Sequence, residues 1–541
     1  MKKKILVTCA LPYSNGDLHI GHMLEHIQAD IWVRYYKMRK REVWFVCSDD
    51  THGTAIMLKA RELNVSPKLL ILNTFKEHVF DFQSFNINYD YYSSTHHIQN
   101  FYWTKKLYYR LKLRNLLQIK NIDQLYDTDK DIFLPDRFVK GTCPVCYSKN
   151  QYGDHCESCG SIYKASMLIS PISNISNTIP IIKNSKHIFL DLSILQKKLY
   201  QWIISGVVNK NVVNKIKEWF LKDLHSWNIS RDYPYFGFKI PDFYDKYFYV
   251  WLDAPMSYIS TFKCLCNYNS LLNFDEFWKK NSHTELYHFI GKDITYFHVL
   301  FWPLMLEVLG FRKPTKIFVH GHLTFQGKKI SKSKNSFITA KKWLKYFDSD
   351  SLRYYYASKL SSKIEDIEMN LKDFENKINS DIVNKVVNLA SRSSSFLSKY
   401  FNNILSKKIQ NMHLYQQFTD ASFEIGRLFE NREFSLVIKK IIFLTDIANQ
   451  YFNEQKPWKL LLTTHKTLLH EICTMGINLF RIIMTFLKPI IPDLAKRSES
   501  FLLIHLSWNN IDTPLLNHRI SIFRVLYHRI KVSDLNNDLN H

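Results

Sequence analysis

Ile5-Leu6-Val7-Thr8-Cys9-Ala10-Leu11-Pro12-Tyr13-Ser14-Asn15-Gly16-Asp17-Leu18-His19-Ile20-Gly21-His22 is the stretch on which the reading of the fold turns. Ile5-Leu6-Val7 is a short apolar run of the kind that forms a buried strand, and Pro12 and Asn15-Gly16 mark a loop and a turn. From Leu18 to Met38 apolar residues recur at helical spacing, and Val43 to Val46 forms a second apolar run. Strand, helix and strand in this order form a βαβ opening, which implies a parallel sheet. Asp49-Asp50 follow the second strand at its carboxyl end, where open parallel sheets gather their ligand groups.

Outward from that unit the texture changes. Residues 116–230 hold charged turns, clustered cysteines and short runs such as Ile188-Phe189-Leu190, and they read as an insertion. Strand-like runs return at Lys246 to Trp251, Leu286 to Ile290 and Lys316 to His320, with a helical pattern from Ile294 to Val308, so the sheet is expected to resume there. Beyond about Ser380 the period is helical throughout, through Ile382, Val386, Leu389, Val437, Ile441, Ile472, Phe480 and Leu487. At 541 residues the chain exceeds a single core. The expected division is a Rossmann-like α/β domain in two halves, 1–115 and 231–322, the insertion 116–230, a connecting region 323–380, and an all-α bundle 381–541.

Composition narrows the class. Hydrophobic residues at 46% and aromatic residues at 15% exclude a disordered chain. The 73 basic against 49 acidic residues give a formal charge of +24. That excess favours a polyanionic partner through counterion release, although lysine-rich drift over a solvated surface has the same composition. Only Ile5-Leu6-Val7 is apolar after Lys2-Lys3-Lys4, so no secretory signal core is expected. The apolar region around Ile477 to Ile491 is broken by Asn478, Arg481, Lys488 and Pro489, so no membrane span is expected, and the cytoplasm is the expected compartment.

Cys143-x2-Cys146 and Cys156-x2-Cys159, nine residues apart, are paired knuckles that can set four thiolates in a tetrahedron around a structural Zn²⁺. Four thiolates leave no position for water, so the metal is expected to hold shape and not to hydrolyse. Cys9, Cys47, Cys264, Cys266 and Cys473 show no partner spacing.

Two further features carry potential chemistry. His19 and His22 share a face at a helix start, beside exposed N–H groups that suit phosphate, and Gly21 permits close approach. By themselves the two histidines also fit capping, surface or metal-binding roles. The loop Gly327-Lys328-Lys329-Ile330-Ser331-Lys332-Ser333-Lys334 could neutralise departing pyrophosphate, or could be a solvated basic turn.

Together, His-x-Gly-His in the first βαβ unit and Lys-x-Ser-Lys-Ser after the last strand resemble the two signatures of class I aminoacyl-tRNA synthetases. Within that class the chain resembles the methionyl-tRNA synthetase family at five stretches. These are Cys9-Ala10-Leu11-Pro12-Tyr13, Ser48-Asp49-Asp50-Thr51-His52-Gly53, Tyr249-Val250-Trp251-Leu252-Asp253-Ala254-Pro255, Gly291-Lys292-Asp293 and Asn388-Leu389-Ala390-Ser391-Arg392. The match runs from about residue 5 to beyond 530.

The resemblance implies ATP-dependent activation of methionine and its transfer to tRNA(Met), elongator and initiator. It implies an ATP site at His19, Gly21, His22, Arg231, Lys329, Ser331 and Lys332, with His19, His22, Lys329 and Lys332 catalytic and Mg²⁺ accompanying ATP. The methionine pocket falls on Leu11, Tyr13, Trp251, Ala254, Pro255, Tyr258, Ile294 and His298, with Asp50 holding the ammonium group. Anticodon reading falls on Asn388, Arg392, Pro457 and Trp458 in the helical domain, although Trp458 after Pro457 also fits a helix-end anchor. Residues 323–380 become the lysine loop and stem-contact region. Ile330 stands where the family usually has Met. Some members continue into a C-terminal dimerisation domain, so a monomer is expected here. Synthetases for cysteine, valine or isoleucine, and a non-catalytic RNA-binding zinc protein, are the competing readings.

Overall fold

β1 (Ile5–Cys9), α1 (Ile20–Met38) and β2 (Val43–Asp49) form the expected βαβ unit in the computed structural model. The structure describes residues 3–154, 156–161, 163–220, 226–325, 328–329, 338–460, 463–533 and 535. α2 (Thr54–Glu62) and α3 (Pro67–Ser84) lead to β3 (Tyr91–Ser94) and α4 (Ile98–Leu113). The sheet has five strands in the order Lys316–His320, Glu285–Gly291, β1, β2, β3, every pair parallel. β1 is central, and all five of its residues are buried, which is why it reads as an unbroken apolar run. The chain leaves β1 toward β2 and later returns on its other side. That reversal opens a crevice at the carboxyl ends of β1 and Glu285–Gly291.

Within the insertion, Leu117–Asp127 pairs antiparallel with Ile181–Leu190 from Leu117 opposite Leu190 to Tyr126 opposite Ile181. Beyond this ladder, Gln151–Tyr152, Val139–Thr142 and Ile169–Ser173 form a small sheet beside the cysteine knuckles. Leu125, Phe138, Val139 and Leu168 give that module its own core, against which Met57 and Leu58 of α2 pack.

Two sequence expectations are corrected. Lys246 to Trp251 does not extend the parallel sheet: Lys246–Phe248 pairs antiparallel with Ser230–Asp232, and Val250–Asp253 is a helical turn. An apolar, aromatic run states a preference for strand but not which partner it will find. The helical period also fails after Leu502: among the described residues the short turn Trp508–Asn510 follows, and then helical geometry only at Ser533 and Leu535. The following chain is held by backbone bonds to Asn403, Leu405 and Ser406 and by side-chain amides acting as strand partners. Asn478 exchanges hydrogen bonds of 3.0 and 2.7 Å with Leu515, and Asn379 exchanges bonds of 2.9 and 3.0 Å with Ile530. Lys466–Leu487 is a 22-residue helix long and apolar enough by composition alone to cross a membrane, and 78% of its apolar window is buried inside the protein. It packs against Asn388–Tyr400, Met412–Glu430, Phe434–Gln455 and Pro492–Leu502 as the central helix of the bundle.

The sheet layer and the bundle meet at Arg353, on helix Ser349–Lys359, whose side chain is fully buried. Its guanidinium bonds Asp30 of α1 at 2.7 Å and the carbonyls of Phe85, Pro489 and Ile490 at 3.2, 3.1 and 2.8 Å. Arg353→Met leaves Asp30 buried with Arg34 alone and is expected to cost about 3–5 kcal/mol in urea unfolding. Lys359→Met at the exposed end of the same helix should cost under about 1 kcal/mol. Equal losses would refute the role given to the buried pair.

Candidate functional site

The crevice at the strand ends is a cavity of about 1270 Å³. Leu11, Tyr13, Asp50, Trp251, Ala254, Pro255, Tyr258, Ile294 and His298 all line it, and so does Arg231. The loop after β1 is stitched to the end of β2, because Asp50 N–H bonds the Pro12 carbonyl and Ser14 N–H bonds the Asp50 carbonyl, both at 2.8 Å. That stitching presents Leu11 and Tyr13, and the Tyr13 hydroxyl donates to the His52 carbonyl at 2.8 Å. Trp251 stacks on Phe297 with ring centroids 3.8 Å apart and planes 6° apart. The Arg231 guanidinium lies 3.9 Å over the Tyr249 ring.

Hydrogen-bond direction fixes the protons on the apolar side. The Ile294 carbonyl can only accept, so it takes His298 Nδ1–H at 3.0 Å, and the Tyr258 hydroxyl donates to His298 Nε2 at 2.8 Å. Burial holds the His298 pKa down to about 4, so the ring is neutral. Behind it, His288 accepts Trp302 Nε1–H at 2.9 Å and bonds Thr8 through Nδ1. The result is an aromatic wall with its polar groups already paired, suited to a flexible apolar or thioether side chain.

Asp50 supplies the opposite character. It is only 9% exposed, and its Oδ1 has no hydrogen-bond partner. Burial, then the nearby Asp253 charge, pushes its pKa well above the usual carboxylate range. Asp253 is itself fully buried and accepts His52 Nδ1–H at 2.6 Å. An orphaned carboxylate oxygen on a cavity wall favours a cationic ligand group such as an ammonium.

His19 is the N-cap of α1. His19 and His22 accept each other's backbone N–H at 3.2 Å, and their rings stack 3.6 Å apart. Neither belongs to the cavity wall, and Gly21 sits between them in the first turn. The chain returns beside them after the lysine-rich loop: Ile20 N–H bonds the Ile338 carbonyl at 3.0 Å, and Ala340 N–H bonds the Leu18 carbonyl at 2.9 Å. The backbone of Lys329 pairs with Thr324 at the other end of that loop. Ser331, Lys332 and the Lys329 side chain lie outside the described residues.

Cys143, Cys146, Cys156 and Cys159 bring their sulfur atoms within 4.8 Å of one another. The contacts Cys143–Cys159 at 3.9 Å and Cys146–Cys156 at 3.5 Å are close to the tetrahedron edge of about 3.8 Å implied by Zn–S bonds of ~2.3 Å. The Ser148 hydroxyl draws the Cys146 thiol down to about 6. The donor set fits a four-coordinate thiophilic metal.

In the bundle, Asn388 opens helix Asn388–Tyr400 and Arg392 follows one turn later. The Arg392 guanidinium lies 5.4 Å from the Trp458 ring and donates to Asn453 Oδ1 at 2.7 Å. Pro457 is buried, whereas Trp458 remains 50% exposed, so its indole does not anchor the helix end in the core. Sequence reading assigned no role to Phe297, His288, Asp253 or His52. Asp253 and His52 stood inside quoted motifs, but no spacing signals a hydrogen bond between residues 201 apart.

The profile of the family described as tRNA synthetases class I (M) matches residues 5–394. The chain is 60% identical over 532 residues to the methionine–tRNA ligase of Buchnera aphidicola subsp. Baizongia pistaciae, covering 98% of each. It is 53% identical over 541 residues to that of Blochmanniella floridana, covering 99% of each. Among solved structures it shares its fold with Mycobacterium tuberculosis methionyl-tRNA synthetase in complex with methionyl-adenylate. That likeness has a TM-score of 0.80 at 21% identity and covers 98% of this chain and 100% of the other.

Because His298 is neutral in the folded chain, its contribution to stability is complete above the unfolded pKa near 6.5 and is lost as pH falls toward 4. Asp81 and Asp350, with pKa values raised to about 6 and 7 by burial, act with the opposite sign, so a variant comparison is needed. Between pH 7 and 4.5 the wild type should lose stability relative to His298→Gln by up to about 1.4 kcal/mol per pH unit. A pH-independent difference would refute the neutral ring.

Proposed function

The chain belongs to the class I methionine–tRNA ligases, and on that premise we propose how its residues divide the reaction. Methionine is activated with ATP and then joined to tRNA. One observation carries the assignment of the pocket: nine side chains from four separated stretches meet in one cavity that holds an unpartnered, buried carboxylate oxygen. Leu11, Trp251, Ala254, Pro255, Tyr258, Ile294 and His298 receive the thioether side chain, Tyr13 covers it, and Asp50 takes the ammonium group.

A methionine carboxylate oxygen attacks the α-phosphorus, and the bond to the bridging oxygen breaks, so that pyrophosphate leaves with the electron pair. The terminal ribose hydroxyl of the tRNA then attacks the acyl carbon and AMP leaves. No side-chain nucleophile is needed, so the work is positioning and charge stabilisation. His19, Gly21 and His22 receive the phosphates at the helix start, Arg231 lies by the adenylate, and Lys329, Ser331 and Lys332 neutralise the departing pyrophosphate. Mg²⁺ accompanies ATP and screens its phosphates.

The four cysteines hold a structural Zn²⁺ that fixes the shape of the insertion. Asn388, Arg392, Pro457 and Trp458 read the anticodon of elongator and initiator tRNA(Met), where an exposed indole beside a guanidinium suits an unstacked base. The division into 1–115 and 231–322 for catalysis, 116–230 for the zinc insertion, 323–380 for the lysine loop and stem contact, and 381–541 for the anticodon completes the reading. The chain works as a cytoplasmic monomer.

Amino-acid-dependent ATP–pyrophosphate exchange tests the pocket with methionine, cysteine, valine and isoleucine side by side. Exchange with methionine alone is expected, and exchange with another amino acid would discard the pocket. Lys332→Ala should slow single-turnover adenylate formation by about 10²-fold or more. An unchanged rate would remove Lys332 from the mechanism. Titrating the thiols with a mercurial reagent and a zinc-sensitive dye should release a single zinc per chain, and release of none would overturn the metal assignment.

A further inference from the structure

His78 lies on α3, is fully buried, and appears in none of the signatures discussed above. Its Nδ1 is 2.7 Å from Asp49 Oδ1, and its Nε2 is 3.1 Å from the Gly16 carbonyl oxygen. A carbonyl oxygen accepts only, so Nε2 carries a proton. The Asp49 oxygen already accepts the Tyr92 hydroxyl at 2.5 Å and is an acceptor toward His78 as well. Both ring nitrogens therefore donate, and the ring is an imidazolium. Burial opposes that charge, but the Asp49 carboxylate and the Gly16 carbonyl outweigh it and hold the His78 pKa above its ordinary value.

This cation sits behind a particular loop. Gly16, with φ of 142°, precedes Asp17-Leu18-His19 at the start of α1. In a planar trans peptide the C=O and the following N–H point in opposite directions. Drawing the Gly16 oxygen inward onto His78 thus turns the Asp17 N–H outward. Asp17 is exposed, and its N–H has no hydrogen-bond partner among the described residues. The same loop is stitched to Asp50 on one flank and to Ile338–Ala340 on the other, so His78 supplies its third attachment.

Resting on the functional reading above, we propose that His78 is a positioning residue for the ATP-dependent step. As an imidazolium paired with Asp49 it sets the Gly16–Asp17 peptide, so that a backbone N–H faces the phosphates received at the start of α1. Asp49 Oδ1 is thereby committed to His78 and Tyr92, and because Asp49 does not line the cavity, Asp50 is the carboxylate placed to meet the substrate ammonium.

Two substitutions separate the ring's two bonds. The amide nitrogen of Gln occupies the place of Nε2 and keeps the donor to Gly16, whereas that of Asn occupies the place of Nδ1 and keeps only the donor to Asp49. In methionine-dependent ATP–pyrophosphate exchange, His78→Asn should raise the KM for ATP by about tenfold or more, the scale of a lost charge-assisted hydrogen bond. The KM for methionine should stay within about twofold of wild type, and His78→Gln should recover most of the loss for ATP. Urea unfolding of both variants identifies a purely structural role: equal destabilisation with proportionate loss toward both substrates would overturn the proposal. An unchanged KM for ATP in His78→Asn would overturn it too. A wild-type chain without methionine-dependent exchange would instead refute the functional reading, so the two failures are distinguishable.

Discussion

A fully buried guanidinium, that of Arg353, lies where the two halves of this molecule meet. It reaches α1, the turn after α3 and the end of the long bundle helix through one carboxylate and three carbonyls. A buried cation tolerates no vacant partner, so each of those segments must arrive in register before the interface can close. The geometry at the strand ends depends on this closure, because α1 begins at His19 and contributes Asp30 to the pair. The orientation of the helix start and the seating of the bundle are therefore one constraint, expressed at opposite ends of α1.

The sheet was legible in the sequence where a strand is buried on both faces. β1, β2, Glu285–Gly291 and Lys316–His320 appear as short apolar runs, and each is a parallel strand. Lys246–Phe248 reads the same way and yet belongs to a hairpin, since pairing is decided by tertiary contacts that a run of residues does not encode. The tail after Leu502 was illegible for a related reason. Its partners include Asn478 and Asn379, single amides placed on helices far away in sequence, together with the backbone of Asn403 and Ser406.

At the site, Leu11, Tyr13, Asp50, Trp251, Tyr258 and His298 from separated stretches line one crevice. What pattern could not reveal is the layer behind them. His78, His288 and Asp253 are buried polar residues whose partners lie 14 to 280 positions away. His19 and His22 illustrate a different limit. Reciprocal capping and phosphate binding place the same demand on a helix start, namely a polar group facing exposed N–H, so the two readings share one sequence pattern.

The central bundle helix, Lys466–Leu487, sets a kinetic condition on the whole chain. Its apolar character is concealed by the helices around it and by the chain after Leu502. Until they close, the nascent molecule displays a segment with the hydropathy of a bilayer span, open to chaperones, to other unfolded copies and to membrane surfaces alike. The interval between the emergence of this helix and the closing of its neighbours is thus one in which its apolar face is exposed. A bundle built from short, mostly local connections is the arrangement that keeps that interval brief.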